Sequence, residues 1–185
     1  EGGSVDIADF FAILSLRVFT KFCLNWCYEE DSKRETEFAH DVSAGSGMVG
    51  LFVIMGLPLR WWMPGASTAL KVSPGLMKDV MPVVEQRRKD IAAGKCDDLD
   101  DPLSAMLREN LPDDEMRDHL MTLVCAGHDT TAYFSAYMSY LLAANPDCQE
   151  KLRSEIRQQC GDRDVSADDV YAMKYMQMFM KEVMR

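Results

Sequence analysis

No proline interrupts the chain between Pro112 and Pro146, and Asp113, Asp114 and Glu115 follow the first of them directly. Proline at the first helical position with acids in the first turn is a helix start. The Asn145-Pro146 pair is its stop. At 1.5 Å per residue the intervening segment spans roughly 50 Å. From Leu120 to Ala144 it is apolar on nearly every face, which predicts a helix buried all round. A compact chain of 185 residues has a radius of gyration of only about 16 Å. The remaining segments could hardly enclose such a rod. Glu1 opens without a methionine, and Arg185 falls inside a helical pattern. Residues 1–185 are therefore expected to be one partial domain of a larger, mainly α protein with a long central buried helix.

The other segments also read as helix. Val5 to about Cys27 carries Ile7, Phe10, Phe11, Leu14, Val18 and Phe22 at helical spacing. A second helix is expected over Thr36 to Met55, weakened by Gly45, Gly47 and Gly50. A third is expected from Pro74 to Ala93, stopped by Gly94. Pro102 opens a short helix through Glu109, and Asp147 to Cys160 another, closed by Gly161. Ser166 with Asp169 three residues on starts a turn, before a last helix from Tyr171 to Arg185. No segment reads as a strand.

The charge balance excludes some partners. A net charge of −10 argues against nucleic acid, because phosphate binding needs clustered Lys and Arg. Six cysteines form no C-x-x-C pair and predict free thiols. The apolar run of the long helix raises a membrane span, but His128, Asp129, Thr130 and Thr131 fall near its centre, where charge in lipid is costly. The span is rejected.

Those polar residues are the candidate site. An unpaired buried carboxylate at Asp129 would cost several kcal/mol or shift its pKa upward. Gly127 costs about 1 kcal/mol in a helix interior relative to alanine, and a threonine there can bond back to the carbonyl one turn earlier. Ala126, Gly127, Asp129, Thr130 and Thr131 together mark a weakened spot with small side chains on one face. Something flat or bulky could approach the backbone there. The alternative is an exposed stretch where the helix emerges.

Ala126-Gly127-His128-Asp129-Thr130-Thr131 resembles the oxygen-activation motif in the long central helix of the cytochrome P-450 family, and Glu182-Val183-Met184-Arg185 resembles that family's Glu-x-x-Arg motif. Either motif alone is weak. Their order, their separation and the break at Asn145-Pro146 make the pair specific. The likeness is strong from Pro112 onward and loose before it.

The resemblance implies a haem-thiolate monooxygenase that inserts one atom of O2 into a small, lipophilic substrate, with electrons from NAD(P)H through a separate reductase. Thr130 resembles the threonine that orients a water and delivers protons during oxygen activation. Asp129 resembles the acid linking it to bulk water. Ala126 and Gly127, with Thr130 and Thr131, would line the haem face. Glu182 and Arg185 would pair as a structural motif. The axial cysteine is expected beyond Arg185, because none of the cysteines here has the family's Gly-rich loop context. Trp61 and Trp62, between Pro58 and Pro64, occupy a loop that the family often rests on a membrane surface, implying an endoplasmic reticulum or other organelle membrane.

Competing patterns are weaker. Gly45 to Gly50 fits G-x-G-x-x-G, but no strand precedes it. Asp97, Asp98 and Asp101 fit the D-D-x-x-D magnesium motif of all-helical isoprenoid synthases, yet Gly94 and Pro102 favour a loop. This is the alternative enzyme; a non-catalytic helical binding protein is the third reading. Cys125 and His128 could face each other three residues apart, without a third group to orient them. Met173, Met176, Met178, Met180 and Met184 read as core filler.

Overall fold

The computed structural model describes residues 5–29, 32–54, 66–95 and 100–185, with side chains described outside 46–54, 66–73 and 76. The described residues form helices and no strand: α1 (Ile7–Leu24), α2 (Lys33–Ile54), α3 (Ala66–Ala92), α4 (Pro102–Arg108), α5 (Asp113–Ala144), α6 (Pro146–Cys160), α7 (Ala167–Ala172) and α8 (Lys174–Val183). None is long and apolar enough to cross a membrane. The chain divides into two compact units, Glu1–Tyr133 and Phe134–Arg185. Trp61, Trp62, Asp97 and Asp98 lie outside the described residues.

In the first unit α1 is capped by Asp6, whose carboxylate accepts from the backbone N–H of Ala8 at 2.9 Å, and ends at Asn25 in the left-handed region, φ 47°. Its buried apolar residues are Leu16, Phe19, Cys23 and Leu24. They meet Phe38, Ala39 and Val42 of α2, Val80 and Val84 of α3, Leu103 of α4, and Met116, Leu120 and Val124 of α5. The helical stripe Phe10, Leu14, Val18, Phe22 faces outward instead. α1 is apolar on two sides, and the core takes the one that offers Leu16 and Phe19.

Three ion pairs fasten this core. Arg17 grips the buried Glu35 with two bonds, at 2.7 and 2.8 Å, joining α1 to α2. Arg34 of α2 pairs with Asp79 of α3 at 2.9 Å, and Tyr28 donates to the same carboxylate. Arg87 of α3, itself buried, bonds Asp101 and Ser104 at 2.5 Å each and the Leu24 carbonyl at 2.9 Å. α3 starts well before Pro74, which lies inside it with Pro82. Each proline removes one backbone donor, and the helix survives because α2 packs along it. Close approach at Gly75 allows this packing: a Cβ there would meet the Arg34 guanidinium at 3.2 Å.

In the second unit the Ser166–Asp169 capping box forms in both directions at the start of α7. Arg163 clamps the same carboxylate at 2.6 Å from each of two nitrogens. The last helix does not run unbroken from Tyr171. Met173 breaks it in an extended conformation, and Glu155 of α6 accepts from the first-turn N–H groups of Tyr175 and Met176 at 2.7 and 2.9 Å. A carboxylate from another helix thus serves as the cap. Of the methionines read as core filler, Met173 is buried, whereas Met178 and Met184 are exposed.

The all-helical class holds, and α5 is continuous from Asp113 to Ala144. Within the described residues α5 is buried along one side, as expected if the remaining segments cannot enclose it. Only Met116, Leu120, Val124, His128 and Ala132, one residue per turn, are buried. The described segments cover a single side of this helix. Its tyrosines Tyr133, Tyr137 and Tyr140 are exposed.

Candidate functional site on the long helix

One turn of α5 carries the candidate residues, and its two sides differ in chemistry. Ala126, Gly127, Thr130 and Thr131 are exposed. Along this stripe no side chain is larger than threonine. A Cβ on Gly127 would meet only the Phe19 ring, at 3.7 Å. The Thr130 hydroxyl donates to the Ala126 carbonyl at 2.7 Å. Its proton is therefore directed along the helix, and its oxygen lone pairs remain available to a donor approaching from the open side. Within the described residues nothing covers Thr130 and Thr131.

The other side is closed. His128 is fully buried, and its Nδ1 lies 2.9 Å from Oδ1 of Asp129, whose side chain is 13% exposed. The Ser43 hydroxyl of α2 donates to the same oxygen at 3.0 Å. Asp129 thus points toward α2, and Thr130 bonds the backbone rather than this acid. The two residues adjoin in sequence but diverge by about 100° around the helix.

His128 and Ser43 were not singled out as partners of Asp129. His128 carried a readable signal, since it falls in the four-residue register of Leu120, Val124 and Ala132. Nothing local marks Ser43. It reaches Asp129 only through the packing of α2 on α5.

Glu182 and Arg185 pair at 2.7 Å on an exposed surface. Asp101, read as a possible metal ligand, is bonded to Arg87 and caps α4 through the Ser104 N–H at 2.8 Å. Its oxygens are engaged, so the D-D-x-x-D reading loses its last ligand, and no group of potential metal-binding side chains occurs among the described residues. Gly45 to Gly50 is helical, and among the described residues no strand precedes it to form a dinucleotide site. The cysteines described are free. Burial, then the charge of Asp101, pushes the Cys23 thiol up to about 11, which disfavours the thiolate a metal needs. Cys160 is buried at the end of α6 and not in a loop.

The fold and site define a helical segment with a long helix that presents a bare, small-residue stripe beside a hydrogen-bonded acid. The family profile for cytochrome P-450 matches residues 1–185. The chain belongs to the cytochrome P-450 family. It is 40% identical over 77 residues to cytochrome P-450 CYP13A4 of Caenorhabditis elegans, covering 42% of this chain and 15% of that protein. It is 30% identical over 146 residues to cytochrome P-450 716A2 of Arabidopsis thaliana, covering 75% of this chain and 30% of that protein. The chain spans less than a third of either relative.

Proposed function

We propose that this chain supplies the distal side of a haem site in a monooxygenase acting on a small lipophilic substrate. The observation that carries the reading is the exposed Ala126–Gly127–Thr130 stripe with the Thr130 hydroxyl bonded back to Ala126. These residues fit a haem: the stripe carries no bulky or charged side chain and leaves a hydroxyl oxygen open near a glycine. Ala126, Gly127, Thr130 and Thr131 would lie against it. When bound, a haem held by a cysteine thiolate would supply O2 binding and O–O cleavage. That thiolate is proposed to come from outside these 185 residues, and the electrons from NAD(P)H through a reductase.

The chain's own part is proton handling and clearance. Thr130 accepts a hydrogen bond from a water on the open face and holds it in place. Asp129, on the adjoining face, exchanges protons between bulk solvent and that water. Transfer along such groups contributes about 10²- to 10⁴-fold in rate. Ala126 and Gly127 leave room for O2 and substrate. The Glu182–Arg185 pair is assigned a structural role.

The test uses the full-length protein. Its reduced carbon-monoxide spectrum is expected to show a thiolate-type Soret band. Thr130→Ala is expected to lower product formed per O2 consumed by about tenfold, with peroxide released instead. Unchanged coupling in that variant, or no thiolate-type band in the native protein, overturns the reading.

A further inference from the structure

His128 occupies the motif position where the family pattern asks for no particular residue, yet here it is fully buried and touches the acid. Among the described residues its Nε2 has no hydrogen-bond partner. A buried polar atom left unpaired is uncommon and calls for a compensating role. The other ring nitrogen provides it. Nδ1 lies 2.9 Å from Asp129 Oδ1, which already accepts from Ser43 at 3.0 Å. An oxygen accepting from Ser43 can take a second donor, and Nδ1 in its protonated tautomer is placed to be one.

We propose that His128 is a positioning residue: its Nδ1–H, together with the Ser43 hydroxyl from α2, holds the Asp129 carboxylate in one orientation. This rests on the proton-handling reading of Asp129 and Thr130 above. Burial leaves the ring no room to turn, and the unpaired Nε2 gives it no competing bond. Two donors from two helices converge on one oxygen, so the acid presents the same geometry at each turnover. Removing the ring donor takes away one of the bonds that fix the rotamer of this carboxylate. Asparagine can place an N–H near the position of Nδ1, glutamine nearer that of Nε2, and leucine fills the space with neither.

The experiment compares His128→Leu, His128→Asn and Thr130→Ala in the full-length, haem-loaded protein, reading product per O2 consumed and the solvent deuterium isotope effect. His128→Leu is expected to lower coupling by about threefold or more and to raise the isotope effect, with the carbon-monoxide band at full intensity. His128→Asn is expected to recover most of the coupling. Nitrogen-15 NMR of the ferrous carbon-monoxide form is expected to show the His128 proton on Nδ1. If Thr130→Ala uncouples and His128→Leu does not, the positioning role is overturned and proton handling stands. If Thr130→Ala stays coupled, proton handling itself is overturned. Should His128→Leu fail to fold, the NMR of the unaltered protein decides, and a proton on Nε2 sinks the proposal.

Discussion

A methyl group placed on Gly127 would meet only the Phe19 ring, at an ordinary contact distance of 3.7 Å. Gly127→Ala is thus expected to keep or raise the melting temperature, because alanine is favoured over glycine in a helix by about 1 kcal/mol. If glycine is needed for clearance at the haem, the same variant loses affinity for distal ligands such as imidazole, read by optical titration. A fall in melting temperature would mean that Phe19 cannot accommodate the methyl. Arg87 presents the opposite case. It is buried with Asp101 and also holds Ser104 and the Leu24 carbonyl. Arg87→Ala strands a buried carboxylate and is expected to destabilise the protein by about 3–5 kcal/mol in urea denaturation. A loss below about 1 kcal/mol would mean that Asp101 finds solvent.

At the scale of helices, the bonds from Arg163, and then those from Ser166, hold the Asp169 carboxyl far below the usual carboxylate range. A carboxyl depressed in the folded state stabilises above its unfolded pKa of about 3.9, and that stability is lost as pH falls toward the folded value. Asp169→Asn is therefore expected to destabilise the α6–α7 region at pH 7, and the gap from wild type should narrow steadily below pH ~4. A gap independent of pH would assign the effect to shape rather than charge. This cap was legible in the sequence, as were the bounds of α5, because Ser166, Asp169, Pro112 and Pro146 act on their own neighbours. The break at Met173 was not legible, since the group that caps α8 is Glu155, twenty residues before Tyr175. The core face of α1 was not legible either: both its sides are apolar, and only the packing of α2, α4 and α5 selects Leu16 over Leu14. Within the site, the identities of Asp129 and Thr130 were readable, but the acid's orientation depends on Ser43, eighty-six residues away.

For the whole chain, the bare apolar positions matter most. Phe10, Leu14, Val18 and Phe22 on α1 and Tyr133, Tyr137 and Tyr140 on α5 are exposed together with a largely acidic surface. Exposed apolar side chains of this kind promote association. Residues 1–185 expressed alone are expected to self-associate with rising concentration in sedimentation velocity, and Phe10→Ser combined with Phe22→Ser should reduce it. A monomer at every concentration would show that these side chains are covered in solution. The Glu155 cap leaves its own signature on the timing of deuterium uptake. Amides in the opening turn of a helix ordinarily trade their hydrogens fast, for want of an acceptor. Those of Tyr175 and Met176 should instead label as late as the interior of α6, and replacing Glu155 with alanine should return both to the rapid pool.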